Sequence, residues 1–206
     1  VCATEPAAIA FVFHADTHGP SLRLSHAQLL GGARKLVARE HLSGAEEALA
    51  ARVFAASGQA RYLLAPWLCA GFCLNFPEAM ATRDTDRREL GPTLVLGTRE
   101  SYARLEQWAR ERLPLPGTLG HRLYRWAMVP DAQAFRRWLG YWLIRRPLLD
   151  VLGMSRLRVP LLVGPALSQE SAAFFGALGI HPGNWQEPSA RQEPADTRIP
   201  LISQSV

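Results

Sequence analysis

The chain has 206 residues, of which 48% are hydrophobic and 20% charged, so it can bury a core as one domain or one large domain fragment. The net charge is +5, but every basic residue except Lys35 is an arginine, and no basic run is interleaved with aromatic side chains. This pattern argues against a nucleic-acid-binding protein and fits an arginine-rich genome. Cys2, Cys69 and Cys73 form neither a disulfide framework nor a zinc-ligand spacing, which favours a reduced, cytoplasmic environment.

The two cysteines of the middle region, Cys69 and Cys73, are expected to be small apolar core residues. No stretch approaches the roughly 18 to 20 consecutive apolar residues of a membrane-spanning helix. The chain opens at Val1 without a charged-then-apolar leader, so the sequence predicts no secretory signal. The missing initial methionine suggests that further residues lie upstream.

In chain order, the first predicted element is a buried strand over 9–14 (IAFVFH), followed by a polar loop over 15–24. Ser25 is expected to cap a helix that ends near Glu40. Apolar residues recur on one face of that helix at helical spacing. Two further strands are then predicted, and they cover 62–65 and 72–76.

The second half continues the alternation of strands and helices. A strand over 93–97 (TLVLG) leads into a helix over 100–113, and helical patterns cover 119–128 and 132–152. Pro130 and Pro147 are expected to interrupt them, because proline cannot donate a helical hydrogen bond.

The last predicted elements are a strand over 158–163 and a helix that Ser168 caps and that continues through Leu178. The composition then becomes rich in Pro, Gln, Glu and Ala, so 181–206 is predicted to be a disordered tail. The alternation over 1–180 predicts one α/β unit, a mainly parallel sheet flanked by helices.

Five segments between residues 5 and 180 carry a family resemblance, and in order they read EPAAIAFVFHADTHGPSLRLSHAQLL, WLCAGFCLNFPE, RRELGPTLVLGTRESYARLEQWARERL, HRLYRWAM and RRPLLDVLGMSRLRVPLLVGPALSQESAAFFGALGI. The first resembles the strand, phosphate loop and helix of the adenylate-forming (AMP-binding) superfamily. The last is the most specific, and it is similar to a segment of the bacterial long-chain acyl-CoA synthetase branch. The resemblance implies a sub-region of that family's N-terminal adenylating domain.

The resemblance also implies a reaction and its ligands. In the family a long-chain fatty acid reacts with ATP to give an acyl adenylate and pyrophosphate, and the acyl group then passes to coenzyme A. ATP and Mg²⁺ are therefore the implied cofactors, and the fatty acid and CoA are the implied partners. Such a step depends on positioning the phosphates and neutralising the charge that moves to the leaving group.

The phosphate loop departs from the family pattern. It reads HADTHGPS over 14–21, and Asp16 replaces a glycine that would face the phosphates. The family's lysine is absent, since Lys35 falls inside a helical pattern, and a carboxylate without that cation opposes phosphate binding. The candidate nucleotide-binding residues in this loop are Thr17, His18, Gly19 and Ser21.

The other motifs are also incomplete. Gly164, Pro165 and Ala166 resemble the family's Gly-Gly-Ala turn that packs on adenine, which implies a nucleotide contact there. The aromatic segment before WLCAGF is reduced to YLL over 62–64, and NWQEPS over 184–189 stands where the Thr-Glu motif for adenylate and Mg²⁺ is expected. The ribose-binding aspartate and the C-terminal lysine domain would follow the end of the chain. We therefore predict no catalytic residue and no metal ligand in this chain.

Two sharper interpretations of short motifs are weak. His14, Asp16 and His18 alternate as strand residues do and would suit a divalent metal, but a solvated loop explains them more simply. Ser25 and His26 resemble a nucleophile and its base, yet neighbouring residues on a helix point apart and Ser25 already serves as a cap.

A surface helix is a third possibility. Residues 135–149 (FRRWLGYWLIRRPLL) carry Trp138, Tyr141 and Trp142 between arginine pairs, as interfacial membrane helices do. The alternative is that these aromatic residues form core or face other parts of the family fold.

The sequence predicts a degenerate or truncated acyl-CoA synthetase homologue with little activity of its own. One alternative is a functional part of a split or longer ligase, whose other parts supply the missing motifs. Another is a non-catalytic membrane-surface or protein-binding module. The expected location is cytoplasmic, with or without peripheral membrane contact.

Overall fold

The computed structural model describes residues 5–14, 21–50, 57–127 and 138–185. The strands within these ranges are β1 Ile9–His14, β2 Ser21–Ser25, β3 Glu47–Leu49, β4 Cys73–Asn75, β5 Leu94–Thr98, β6 Val159–Val163 and β7 Gly183–Trp185. The helices are α1 His26–Arg39, α2 Ser57–Gln59, α3 Ala65–Ala70, α4 Arg83–Leu90, α5 Arg99–Arg110, α6 Leu119–Ala127, α7 Arg146–Val151 and α8 Gln169–Ala177. Two π-helical segments, Ala60–Leu64 and Tyr141–Arg145, lead into α3 and α7.

Five strands form one parallel sheet in the order β4-β3-β5-β6-β7. This confirms the predicted α/β fold with a parallel sheet flanked by helices. From β3 the chain continues to β4, which pairs with one side of β3 at the edge of the sheet, and then to β5, which pairs with the other side of β3. The strand order therefore reverses between β3 and β5, and open α/β sheets bind ligands beyond the carboxyl ends of the strands at such a point.

Apolar side chains cover both faces of this sheet. Successive strand residues point to opposite faces, so Leu161 joins a cluster with Leu36 and Phe72. Its neighbour Leu162 packs in a second cluster against Phe175 and other residues of α5, α7 and α8. Because both faces are buried, β5 and β6 are nearly continuous apolar runs, as the sequence predicted for parallel strands.

The predicted buried strand at 9–14 forms, but outside the parallel sheet. β1 pairs antiparallel with β2 in a separate two-stranded sheet, with His14 opposite Ser21. One face packs on α1 through Leu24, while Ile9 and Val12 are exposed, so the expectation that β1 is buried was wrong. The predicted loop over 15–24 was also too long, because β2 begins at Ser21.

The segment 62–65 is helical, so the strand predicted there was wrong. Its apolar residues continue a helix from α2 through a π-helical segment into α3, which begins one residue before Pro66. A proline lacks the N–H group and crowds the preceding turn, and the wider π turn accommodates it. Pro147 follows the second π-helical segment in the same way, so the helix there widens where an interruption was expected.

Other predicted boundaries hold closely. Ser25 caps α1 through a hydrogen bond to the Gln28 amide, and Ser168 caps α8. β4, β5, β6 and α6 match the segments predicted for them to within one residue at each end, and α5 ends at Arg110, before the predicted end at residue 113. The elements without a predicted counterpart include β3, which has only three residues, and α4, whose sequence RDTDRREL has no apolar face.

The predicted tail begins too early. Gly183–Trp185 forms β7 at the edge of the sheet, paired with the end of β6. Trp185 supplies the reason, since its ring packs beside Tyr62 and under the Arg39 guanidinium. Residues 186–206 lie outside the described residues, and the boundary between a domain and a tail stays a prediction.

The two cysteine side chains were also placed wrongly from the sequence. Cys69 lies on α3 and Cys73 begins the edge strand β4, and both are exposed free thiols. In the part of the chain that the structure describes, no helix combines the length and apolar character needed to cross a membrane.

Candidate functional site

The carboxyl ends of the five parallel strands meet at one edge of the sheet, which we call the carboxyl edge. Two long helices begin there, α5 after β5 and α8 after β6. Thr98 caps α5, because its Oγ1 accepts from the Ser101 amide at 3.3 Å and the Ser101 hydroxyl oxygen accepts from the Thr98 amide at 2.7 Å. The first amides of both helices, with their partial positive charge, therefore face this edge.

The Gly164–Pro165–Ala166 turn lies at the carboxyl edge between β6 and α8. Gly164 has a φ of +93°, a left-handed conformation that favours glycine, and a Cβ there would meet nothing within 4 Å. Pro165 and Ala166 are exposed. The nucleotide contact that the resemblance implies for these three residues stays a prediction.

The structure describes the residues on either side of the predicted phosphate loop. Thr17, His18 and Gly19 lie outside the described residues, and Ser21 begins β2. The described strands on either side of this segment, β1 and β2, pair with each other. Lys35 lies on the exposed side of α1, in agreement with its helical pattern.

A cleft also lies at the point where the strand order reverses. We call it the arginine cleft, and its cavity of about 40 Å³ has room for about three water molecules. Its walls come from the end of β3, from β5 and from helices α4 and α5. The lining residues are Leu49, Arg83, Arg87, Val95, Leu96, Gly97, Ser101, Tyr102, Arg104 and Leu105.

One carboxylate serves all three arginines of the cleft. Asp84 Oδ1 lies 2.8 Å from Arg87 Nη1, and Asp84 Oδ2 lies 2.7 Å from Arg104 Nη1. Arg83 Nε is more distant, at 3.7 Å from Asp84 Oδ1. Partial burial raises the pKa of Asp84, but Arg87 and Arg104 together outweigh it, so the pKa lies below its ordinary value.

Arg87 has a structural role beside this carboxylate. Its Nε donates to the Leu152 carbonyl at 2.9 Å, which ties α4 to the end of α7. Burial lowers the pKa of its guanidinium, and Asp84 opposes that shift. Sequence reasoning missed this cluster. Arg83 and Arg87 are spaced for one helix face, but nothing in the sequence joins them to Arg104 on the next helix.

The metal-binding interpretation receives no support from described residues. His14 is exposed on β1, while Asp16 and His18 lie outside the described ranges. Across 5–14, 21–50, 57–127 and 138–185, no group of three or more His, Cys, Asp or Glu side chains could hold a metal ion.

No family model matches this sequence, and no curated protein matches it. Among solved structures, it is similar to the A domain of carboxylic acid reductase from Segniliparus rugosus, which was determined in complex with AMP and a co-purified carboxylic acid. The superposition has a TM-score of 0.55 at 12% sequence identity, and it covers 87% of this chain. The chain spans 27% of the length of that structure. At this identity the likeness establishes the fold alone, an α/β fold with a parallel sheet flanked by helices.

Proposed function

We propose that this chain is a partial adenylating domain of the acyl-CoA synthetase type that contacts a nucleotide weakly and does not complete adenylation alone. The observation that carries the proposal is the Gly164 turn. It combines a left-handed glycine, open space at the glycine Cβ position and a location between a parallel strand and a capped helix. A planar base can approach such a backbone closely, because no side chain intervenes.

The nucleotide assignment has independent support from the structural neighbour, which binds AMP and a carboxylic acid on a similar fold. The carboxyl edge of an open parallel sheet is also where ligands of such folds bind. The finer assignment, to long-chain fatty acids and CoA with ATP and Mg²⁺, rests on the resemblance of the sequence segments alone.

The deficit in catalysis follows from charge. Forming an acyl adenylate places negative charge on a pyrophosphate leaving group, and positive groups must neutralise it. The only lysine, Lys35, is exposed on α1, and Asp16 brings an acid into the phosphate loop. We therefore expect a second polypeptide or further sequence to be needed for turnover, as in a split ligase.

Calorimetry with ATP and Mg²⁺ and an assay of pyrophosphate release with palmitate and CoA test this proposal. We expect millimolar or weaker ATP binding and no pyrophosphate above a blank without fatty acid. Submillimolar ATP affinity with turnover would show that the electrostatic argument is wrong.

A matched pair of glycine variants tests the turn itself. Gly164 and Gly179 both have positive φ and open space at the Cβ position, but Gly179 follows the far end of α8. We expect Gly164→Ala to reduce AMP-induced amide chemical-shift changes and Gly179→Ala to leave them unchanged. Equal changes in both variants would remove the turn from the nucleotide site.

A second candidate function, contact with a membrane surface, is favoured by one exposed face. Trp138, Tyr141, Trp142 and Leu143 are all exposed, and the Arg146 guanidinium lies 4.4 Å from the Trp142 ring centroid. Aromatic rings beside arginines suit the boundary between lipid headgroups and acyl chains. Pelleting with anionic vesicles tests it, and we expect Trp142→Ala to weaken binding while the exposed Leu68→Ala on α3 does not.

A further inference from the structure

The arginine cleft holds more positive charge than its own carboxylate neutralises. Three guanidinium groups, those of Arg83, Arg87 and Arg104, surround Asp84, so two positive charges remain. Among the described residues, no second carboxylate lies within ion-pair distance of these groups. The Arg87 side chain is 8% exposed and that of Arg83 20%, whereas Arg104 is 43% exposed. Like charges held together at a partly buried site without a second counter-ion favour the binding of an anion.

Unused hydrogen-bond donors point in the same direction. Arg83 Nε is buried, and it has no hydrogen-bond partner in the part of the chain that the structure describes. Arg104 uses one nitrogen, Nη1, for Asp84, which leaves its other donors available to a ligand. A buried N–H group without a partner costs free energy that a bound acceptor would recover.

The rest of the cleft is apolar. Leu49, Leu96 and Leu105 line it together with the Tyr102 ring, and its position is the strand-order reversal between β3 and β5. We propose that this cleft is a binding site for a short-chain monocarboxylate. The carboxylate accepts hydrogen bonds from Arg83 and Arg104, and the alkyl group lies against the leucines.

The choice of a carboxylate over a phosphate follows from shape and polarity. A guanidinium fork donates two parallel hydrogen bonds to a planar carboxylate. A phosphate dianion would expose further oxygens to apolar walls, where their loss of hydration is not recovered. This site shares no lining residue with the Gly164 turn, so it extends the proposed function without depending on it.

Sodium propionate titrated into the whole 206-residue chain at constant ionic strength tests the site. Amide chemical shifts of Gly97 and Ser101 report binding, with sodium chloride and inorganic phosphate as comparison anions. We expect saturable shifts with propionate alone. Arg104→Gln should weaken binding about tenfold, because a charge-assisted pair is lost. Arg122→Gln, an exposed arginine on α6, is the matched control and should change nothing.

Asp84→Asn provides the decisive contrast, because it removes the internal competitor for the arginines. We expect it to tighten propionate binding several-fold, a result that a damaged fold would not give. Shifts that fail to saturate, that sodium chloride reproduces, or that appear with phosphate and not propionate would overturn the proposal. So would an unchanged affinity in both Arg104→Gln and Asp84→Asn. Gly164→Ala should leave propionate binding intact, which separates this site from the nucleotide turn.

Discussion

The two edges of the parallel sheet are built differently. At the amino edge, buried Glu46 accepts from the Thr93 hydroxyl at 2.6 Å and from Arg158 Nη1 at 2.7 Å. At the carboxyl edge, the Gly164 turn faces open space and Arg83 Nε lacks a hydrogen-bond partner within the described residues. The polar groups of the amino edge therefore hold strands together, whereas the carboxyl edge includes a buried Arg83 donor without a hydrogen-bond partner among the described residues and is the edge where open parallel sheets bind ligands.

The largest expected effect is at the amino edge. Glu46→Ala should lower the free energy of unfolding by about 3 kcal/mol, because it leaves a cavity and removes the nearer acceptor of the buried Thr93 hydroxyl. The loss of the pair with Arg158 adds little, because that side chain is 60% exposed. Urea denaturation measures the change. The neighbouring Glu47→Gln breaks an exposed ion pair with Arg156 and should cost less than about 1 kcal/mol. Similar losses in both variants would contradict the contrast between buried and exposed pairing.

The next effect tests how tightly β5 approaches α5 at the carboxyl edge. A Cβ on Gly97 would lie 2.6 Å from Tyr102 Cε2, and this ring is held edge-to-face against Phe175. Gly97→Ala should therefore destabilise the protein by about 2 kcal/mol through overpacking. Thermal denaturation followed by circular dichroism measures it.

Gly31→Ala is the matched control for that glycine. Gly31 lies on α1, and a Cβ there would meet nothing within 4 Å. Alanine favours the helix, so this variant should gain about 0.5 to 1 kcal/mol. Opposite signs for the two substitutions would show that the requirement at Gly97 is steric, and a loss at both would show that it is not.

Much of the fold could be predicted from the sequence where local pattern and tertiary burial agree. The β5 and β6 runs are apolar because both faces of the sheet are covered. Serine is a good N-cap residue in any helix, and Ser25 and Ser168 act as caps here. The predictions failed where pattern and burial diverge. The apolar residues at 62–65 fit a strand and a buried helix equally well, and only packing on the sheet decides between them.

The candidate site was less predictable. The Gly164 turn was singled out by its resemblance to the Gly-Gly-Ala turn of the adenylate-forming family, which its consecutive residues after an apolar strand made visible. The arginine cleft could not, because Asp84 pairs with Arg104, which lies 20 residues further along the chain, as well as with the neighbouring Arg83. The sheet topology creates that juxtaposition, and α4 was not visible as a helix because its sequence lacks apolar periodicity.

A smaller effect compares backbone strain at two glycines. Gly164→Ala and Gly179→Ala should each lower stability by about 1 kcal/mol, since both positions have positive φ and neither new methyl group meets a neighbour. Chemical denaturation measures both losses. Because the two variants are expected to lose the same stability, a difference between them in nucleotide binding can be assigned to the site. A much larger loss of stability for Gly164→Ala would contradict the open space at that Cβ position.

The smallest effect is the pH dependence of Asp84. Its pKa in the folded protein lies below the ordinary 3.8, because Arg87 and Arg104 outweigh partial burial. Stability from this carboxylate is therefore fully present above pH 3.8 and is lost as the pH falls through the folded pKa.

Asp84→Asn should cost about 0.5 kcal/mol at pH 7, a value discounted because the side chain is exposed to screening by solvent. Urea denaturation from pH 7 to pH 2.5 should show this difference shrinking only below pH 3.8, and a difference that grows on acidification would contradict the assignment. The same substitution is expected to tighten propionate binding. Asp84 therefore adds a little stability, as polar groups do at the amino edge, but it also competes with the ligand for the arginines at the carboxyl edge.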